Sequence, residues 1–387
     1  MTKISMKSRQ EVIQRYCARY KKSSKKEKGR ILDYVCSATG LSRDRAKKLL
    51  CGRIKKAEAP KLKKRGRKIK YGDSFRAALE KIWALMDFAC GRRIAAGMKD
   101  MLDALLRFGE IDFDQNTLEK LLEISHATID RLLKHEKNRM KFKGIFTTKP
   151  GTLLKRDIPI RLGTQWDDAV PGYVEIDLVA HCGVTTAGEY INTLDVTDIC
   201  TGWTETAAVL NKAQKHVFEA LMVVKERQPF PLLGIDSDNG SEFINAHLLR
   251  YCKQENICFT RSRPDKKNDG CHVEQKNWSV VRRNIGYDRY EGAEALRIMN
   301  EYYDLLRLYT NFFLPSAKLL NKSRDGSKIR KHYEPPQTPY KRLMTSQHIE
   351  QDAKMRLKET LQTLNPAELK RGMLKLLNQL QRLRMTC

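Results

Sequence analysis

The chain has 387 residues, with 74 Lys and Arg against 46 Asp and Glu, a net charge of +28 and 41% hydrophobic residues. That is length for about two to three domains with apolar content for packed cores, which excludes a disordered basic tail. No apolar run approaches the roughly 18 residues that cross a bilayer, and the N-terminus has no apolar signal stretch, so the sequence predicts a cytoplasmic protein with no membrane partner and a polyanionic one.

The ten cysteines are scattered and form no Cys-x-x-Cys pair, and no histidine precedes His126. Zinc modules need clustered soft ligands, so the thiols read as reduced cysteines of a reducing compartment.

Charge is concentrated at the start. Residues 1–70 hold 25 Lys and Arg against 5 Asp and Glu. Residues 1–72 are read as a basic helix-turn-helix arm and linker. Within it, 31–50 places Val35, Leu41, Ala46 and Leu49 where two crossed helices bury contacts. Gly40 supplies the turn and Ser42 the cap of the second helix. Arg43, Arg45, Lys47 and Lys48 then project from that helix toward a major groove. Lys63, Lys64, Arg65 and Arg67 form a run suited to a minor groove.

Residues 73–150 are read as a helical region. Phe75, Leu79, Ile82, Trp83 and Met86 fall at helical spacing through 73–110, a core stripe. A second helix-turn-helix is expected over 116–134, capped by Asn116. From 151 to 313 the texture changes. Strands are expected at 173–179, 189–196, 201–209, 232–236 and 257–261, with helices at 213–228, 245–255, 273–285 and 292–312. This order describes a mixed sheet flanked by helices. Residues 314–387 are read as a basic extended segment to about 345, then a helix opened by Asn365-Pro-Ala-Glu. Leu369, Met373, Leu376, Leu377, Leu380 and Leu383 make an apolar stripe on it, expected to pack on the parent domain.

Three acids stand out. Asp177 lies mid-strand, facing away from Ile176 and Leu178. Asp238 follows the fourth strand, and Glu274 opens a later helix. A mid-strand acid is costly unless paired or bound to a cation. Gathered carboxylates favour hard cations such as Mg²⁺ or Mn²⁺, and two such ions can clamp the attacking and leaving oxygens of a phosphodiester.

Asp238 and Glu274 are separated by 35 residues, Asp-Asn-Gly-Ser begins at Asp238, and Asn277 follows Glu274 by three. With the stretch 263–277 and the tail segments 311–319 and 333–340, residues 150–345 resemble bacterial insertion-sequence DDE transposases and, through them, the retroviral integrase catalytic core. The resemblance implies an α/β ribonuclease-H-like core carrying an all-α helix-turn-helix N-terminal region and a basic C-terminal extension. It implies catalysis and metal binding by Asp177, Asp238 and Glu274, with two Mg²⁺ or Mn²⁺ per site. Asp236 shares the strand face of Asp238, but the spacing and the Asn-Gly that follows favour Asp238.

The chain departs from that family in lacking the zinc-binding N-terminal domain. It also has Trp278 and Val281 where lysines often follow the Glu. Arg261, Lys276, Arg282 and Arg283 are the expected phosphate contacts instead. The implied activity is metal-dependent cleavage and strand transfer at mobile-element ends. The expected partners are terminal-repeat and target DNA, the active unit a homodimer or larger oligomer, and the location the bacterial nucleoid. Two rivals are a catalytically silent DNA-binding derivative and a ribonuclease-H-type nuclease.

Overall fold

The computed structural model describes residues 5–52, 70–139, 169–238, 240, 242–243, 245–261, 271–325 and 328–385. They form two compact units, Met1–Lys70 and Tyr71–Cys387.

The first unit holds helices α1 (Met6–Lys22), α2 (Lys25–Thr39) and α3 (Arg43–Leu50). Gly40 ends α2 in the left-handed conformation, with φ 68°, and its N–H donates to the Cys36 carbonyl. A side chain at that φ would be strained, so glycine sets the turn. Tyr20, Ile31, Leu32, Val35, Ala46 and Leu50 make a small core. Leu50, rather than the expected Leu49, is the buried leucine of α3. Ser42 stands at the N-cap but makes no capping hydrogen bond.

The second unit opens with α4 (Asp73–Leu85), α5 (Gly91–Arg107), α6 (Gln115–Glu123), α7 (His126–Leu132) and α8 (Lys134–Arg139). The single amphipathic stretch expected over 73–110 is two helices. Asp87 and Phe88 take left-handed φ values of 51° and 52°, which breaks the helix after Met86. The five stripe residues are nevertheless all buried. Asp114, not Asn116, caps α6, its side chain accepting from the Thr117 N–H. Ser125 caps α7 in the same way.

The sheet follows: β1 (Tyr173–Ala180), β2 (Asn192–Asp198), β3 (Thr204–Val209), α9 (Gln214–Arg227), β4 (Gly234–Ser237), α10 (Ala246–Gln254) and β5 (Cys258–Arg261). Its order is β3-β2-β1-β4-β5. The first three strands are antiparallel neighbours, while β4 lies parallel to both β1 and β5. This mixed order is the one expected of the ribonuclease-H-like core that the sequence resemblance implies. Strand alternation divides the faces. Val174, Ile176, Leu178, Leu194 and Val196 pack one way against α9 and α10. Val217, Ala220, Leu221 and Val224 present the matching stripe of α9 at three- and four-residue spacing.

On the other face lie α11 (Cys271–Lys276), a π-helical segment Asn277–Arg282, α12 (Arg283–Ile285) and α13 (Gly292–Phe313). The expected helix at 273–285 is thus interrupted by a π segment, a form that clusters at functional sites. Helix α13 also closes the edge of the sheet. Asn311 accepts from the Thr204 N–H at 2.9 Å and donates to the Thr204 carbonyl at 2.8 Å. Asn300 does the same for Ala208 at 2.8 and 3.2 Å.

The C-terminal part contains β6 (Leu319–Asp325) and β7 (Lys328–Tyr333), then α14 (Pro339–Thr345), α15 (Gln351–Thr363) and α16 (Pro366–Arg382). The segment expected to be extended is a β-hairpin, its strands pairing from Leu319↔Tyr333 to Asp325↔Lys328. Asn365 caps α16 through the Ala367 and Glu368 N–H groups, and Pro366 opens it, as expected. Its apolar stripe joins a core shared with α4, α5 and α13, with Leu380 and Met373 buried and Leu376, Leu377 and Leu383 packed alongside. No helix among the described residues is long and apolar enough to cross a membrane.

Candidate active site

Asp177 stands in β1 among Glu175 and Val179, opposite the Ile176–Leu178 face. Its Oδ1 accepts from the Leu178 N–H at 2.8 Å and its Oδ2 from Asn277 Nδ2 at 2.6 Å. The parallel register of β1 with β4 ends at Ile176↔Ser237. One step further sets Asp238 beside Asp177, where β4 gives out and the chain is free to turn. Asp238 Oδ1 accepts from the Gly240 N–H at 2.8 Å. Asp236 lies one pleat deeper, level with Glu175, and accepts from Thr260 Oγ1 at 2.6 Å. Geometry therefore separates the two acids of β4: the buried one belongs to the sheet and Asp238 opens beside Asp177.

Glu242 is an acid of this neighbourhood that the sequence reading did not single out. A Cβ on Gly240 would lie 2.7 Å from the Glu242 carboxyl carbon and 2.9 Å from Asp238 Oδ1. A side chain at this position would push one of the two carboxylates aside. Lys212 stands 3.8 Å from Glu242. The crowding shows in the titration. Burial raises the pKa of Asp177, with further repulsion from Asp238 and Glu242. Burial also raises Asp238, against the Gly240 N–H and together with Glu242. The one textual signal for Glu242 was its place four residues after Asp238, inside the same turn motif.

Glu274 lies in α11, exposed, on the helix that packs over β1 and β2. Two anchors hold that helix on the Asp177 face. The Val273 N–H donates to Glu175 at 3.0 Å, and Asn277 reaches Asp177. Among the described residues, no three His, Cys, Asp or Glu side chains are gathered closely enough to hold a metal ion. The donor chemistry still suits a hard cation. Close carboxylates that push one another toward protonation are the groups a divalent ion would keep ionised.

Asp195 is a second unforeseen acid. It pairs directly with Asp177 across β1 and β2, so both point to the same face. It is fully buried, Oδ1 accepts from Thr197 at 3.2 Å, and Oδ2 has no hydrogen-bond partner among the described residues. Burial raises its pKa and the Lys276 ammonium opposes that rise. Burial lowers Lys276, which Asp195 opposes.

The expected phosphate contacts fare unevenly. Lys276 is buried and donates to the Gly202 carbonyl at 3.1 Å. Arg261 is buried in β5. Both side chains are thus largely withdrawn from the surface. Arg282 is half-buried with its guanidinium 4.8 Å over the Tyr287 ring. Arg283 is exposed and donates to the Asp87 carbonyl. In the first unit Arg45, Lys47 and Lys48 are exposed on α3, while Arg43 is ion-paired with Asp33. Lys63, Lys64, Arg65 and Arg67 lie outside the described residues.

Comparison with known proteins gives three findings. The integrase core domain family matches residues 167–267. The uncharacterized protein y4rM of Sinorhizobium fredii (strain NBRC 101917 / NGR234) is 39% identical over 342 residues, covering 88% of this chain and 96% of that protein. Among solved structures, the BIV integrase catalytic core is 15% identical over 44% of this chain and 91% of its own, with a TM-score of 0.28. The HTLV-2 integrase catalytic core, solved with magnesium, is 14% identical over 41% and 93%, also at 0.28. The chain belongs to the family of y4rM and carries, over residues 167–267, an integrase core domain.

Proposed function

We propose that the protein is a DNA transposase that cleaves and rejoins phosphodiesters at the ends of a mobile element. The observation that carries this reading is the meeting of Asp177 and Asp238 at neighbouring strand positions beneath the helix that bears Glu274. Asp177, Asp238 and Glu274 are the catalytic residues of this reading and would hold Mg²⁺ or Mn²⁺, two ions per site. Such ions, when bound, supply activation of the attacking oxygen and stabilisation of the leaving one. Asn277 holds the Asp177 carboxylate in place, and Gly240 keeps Asp238 turned into the site.

The chemistry has two steps. A water oxygen bonds to phosphorus at the element end as the bond to the 3′ oxygen breaks, leaving a 3′-OH. That hydroxyl then attacks a target phosphorus, displacing the target's own 3′ oxygen, so no covalent protein–DNA bond is required. The first unit supplies end recognition as a helix-turn-helix, with Arg45, Lys47 and Lys48 exposed on its second helix. The helices 115–123 and 126–132 form a second such module, and the basic C-terminal segment adds DNA affinity. One chain carries one such site, so joining two ends to one target takes at least two protomers assembled on DNA, in a nucleoid-associated bacterial enzyme.

The test is supercoiled plasmid incubated with paired element ends and Mg²⁺. Joined products are expected. Glu274→Gln keeps shape but removes the charge, and should lower joining at least about a hundredfold while end binding stays near wild type. Undiminished joining by Glu274→Gln would remove Glu274 from the site. Cutting of RNA–DNA hybrids without joining would make the protein a nuclease, and binding alone a regulator.

A further inference from the structure

A cavity of about 300 Å³ opens between the start of α5, the α11–π segment and the end of β7. Gln275 and Lys276 line it from the same helix that carries Glu274 and, one residue on, Asn277. Its walls are of two kinds. Arg92, Arg93 and Arg283 bring three guanidiniums, while Tyr333, Val280 and Leu314 bring an aromatic ring and apolar surface.

The cations are available. Arg93 is largely desolvated, which lowers its pKa against the opposing effect of Cys90 and Asp87, and it donates to the Pro315 carbonyl. Among the described residues none of the three guanidiniums has a carboxylate ion-pair partner. Asp87 is the carboxylate on the described walls, and Lys370 already pairs with it. Arg93 is the desolvated one of the three cations, and the carboxylate that faces it, Asp87, is shared with Lys370, so an anion entering the cavity would meet an excess of positive charge and relieve the cost of burying it.

We infer that this cleft takes one unpaired nucleotide of the DNA strand, its phosphate against Arg92, Arg93 and Arg283 and its base against Tyr333. A groove serving only the backbone of a duplex would be open and polar throughout. This one is half apolar, and its volume sits at the lower end of small-ligand pockets, too small for paired bases. An aromatic face beside cations is the platform on which single-stranded nucleic acid stacks, whatever its sequence. A strand end frays more readily than the interior of a duplex, and the cleft lies alongside the helix of Glu274. The inference rests on the function proposed above and adds a binding site to it.

The experiment is done in EDTA, so that binding is read without chemistry. Two labelled duplexes of the same sequence are compared, one blunt and one with a short 3′ overhang carrying 2-aminopurine. The wild type should bind the overhang DNA about tenfold more tightly and change the 2-aminopurine fluorescence. Arg92 and Tyr333 are both exposed, so Arg92→Ala and Tyr333→Ala should fold. Each should lower the preference, and the double variant should abolish it, with blunt-duplex affinity held within about threefold. Glu274→Gln should keep the preference. Equal wild-type binding of both duplexes, or a preference that survives in the double variant, overturns the cleft alone. A wild type that binds neither duplex overturns the proposed function together with it.

Discussion

At the scale of single residues, burial decides which acids and bases remain available for chemistry. Asp236 and Asp238 are two positions apart on one strand face, yet Thr260 holds the first inside the sheet while the second stands beside Asp177. Asp238→Asn should therefore abolish strand joining with the fold intact. Asp236→Asn should cost stability, seen as a lower melting temperature, and leave residual joining. The reverse outcome would exchange their roles.

His181 shows burial acting on a base. It is fully buried, its Nε2 is 2.7 Å from Thr193 Oγ1, and Thr193 in turn meets the Tyr303 hydroxyl at 2.6 Å. Burial, aided by Arg282, pushes its pKa down to about 3. An unfolded histidine takes up its proton near pH 6.5, so the unfolded state binds more protons between there and pH 3. The stability of the neutral folded form is thus complete above about pH 6.5 and is lost as pH falls. His181→Gln should flatten the dependence of unfolding free energy on pH between 4 and 6, by about 1.4 kcal/mol per pH unit. Urea unfolding at several pH values measures this, and an unchanged slope would show that another group governs it.

At the scale of elements, the sheet edge is the instructive case. An open β3 edge would expose a row of unpaired backbone groups. Helix α13 covers it, and Asn311 and Asn300 act as surrogate strand partners for Thr204 and Ala208. Asn311 is fully buried, so Asn311→Leu leaves a buried N–H and a buried carbonyl unsatisfied. It should cost about 2–6 kcal/mol, at about 1–3 kcal/mol for each group. Denaturant unfolding would report it, and a loss below about 0.5 kcal/mol would mean that other groups satisfy the edge. Close helix approach is another element-scale constraint. A Cβ on Gly91 would sit 2.2 Å from the His126 carbonyl oxygen, so the junction of α5 with α7 admits only glycine there.

At the scale of the whole molecule, charge and cores are unequally divided. Residues 1–70 carry most of the net charge of +28 and have their own small core, while the sheet and the remaining helices form the second unit. Counterion release makes affinity for DNA fall with salt in proportion to the phosphates neutralised. Deleting residues 1–70 should leave 71–387 folded, flatten the salt dependence of DNA binding and remove the choice of element ends over random DNA. Filter binding across a salt series would show both effects. A truncated protein that still selects its own ends would move recognition to the second unit.

Local pattern and spacing determined much of this protein without a structure. Alternation along 173–179 marked β1 and set Asp177 apart from the core face, because strand geometry forces neighbours to opposite sides. The interval from Asp238 to Glu274 and the Asp-Asn-Gly turn, both properties of the chain itself, carry the family resemblance that implies a role for these acids. The cap and stripe of α16 were equally legible. What only the tertiary structure decided depends on contacts between distant segments. Asp195 comes to face Asp177 through antiparallel register, and Glu242 meets Asp238 because the turn folds over a glycine. Lys276 is turned inward by the packing of α11, and a hairpin stands where charge alone suggested an extended tail. Each of these depends on register, turn path and packing, and sequence spacing alone does not say which side chains those bring face to face.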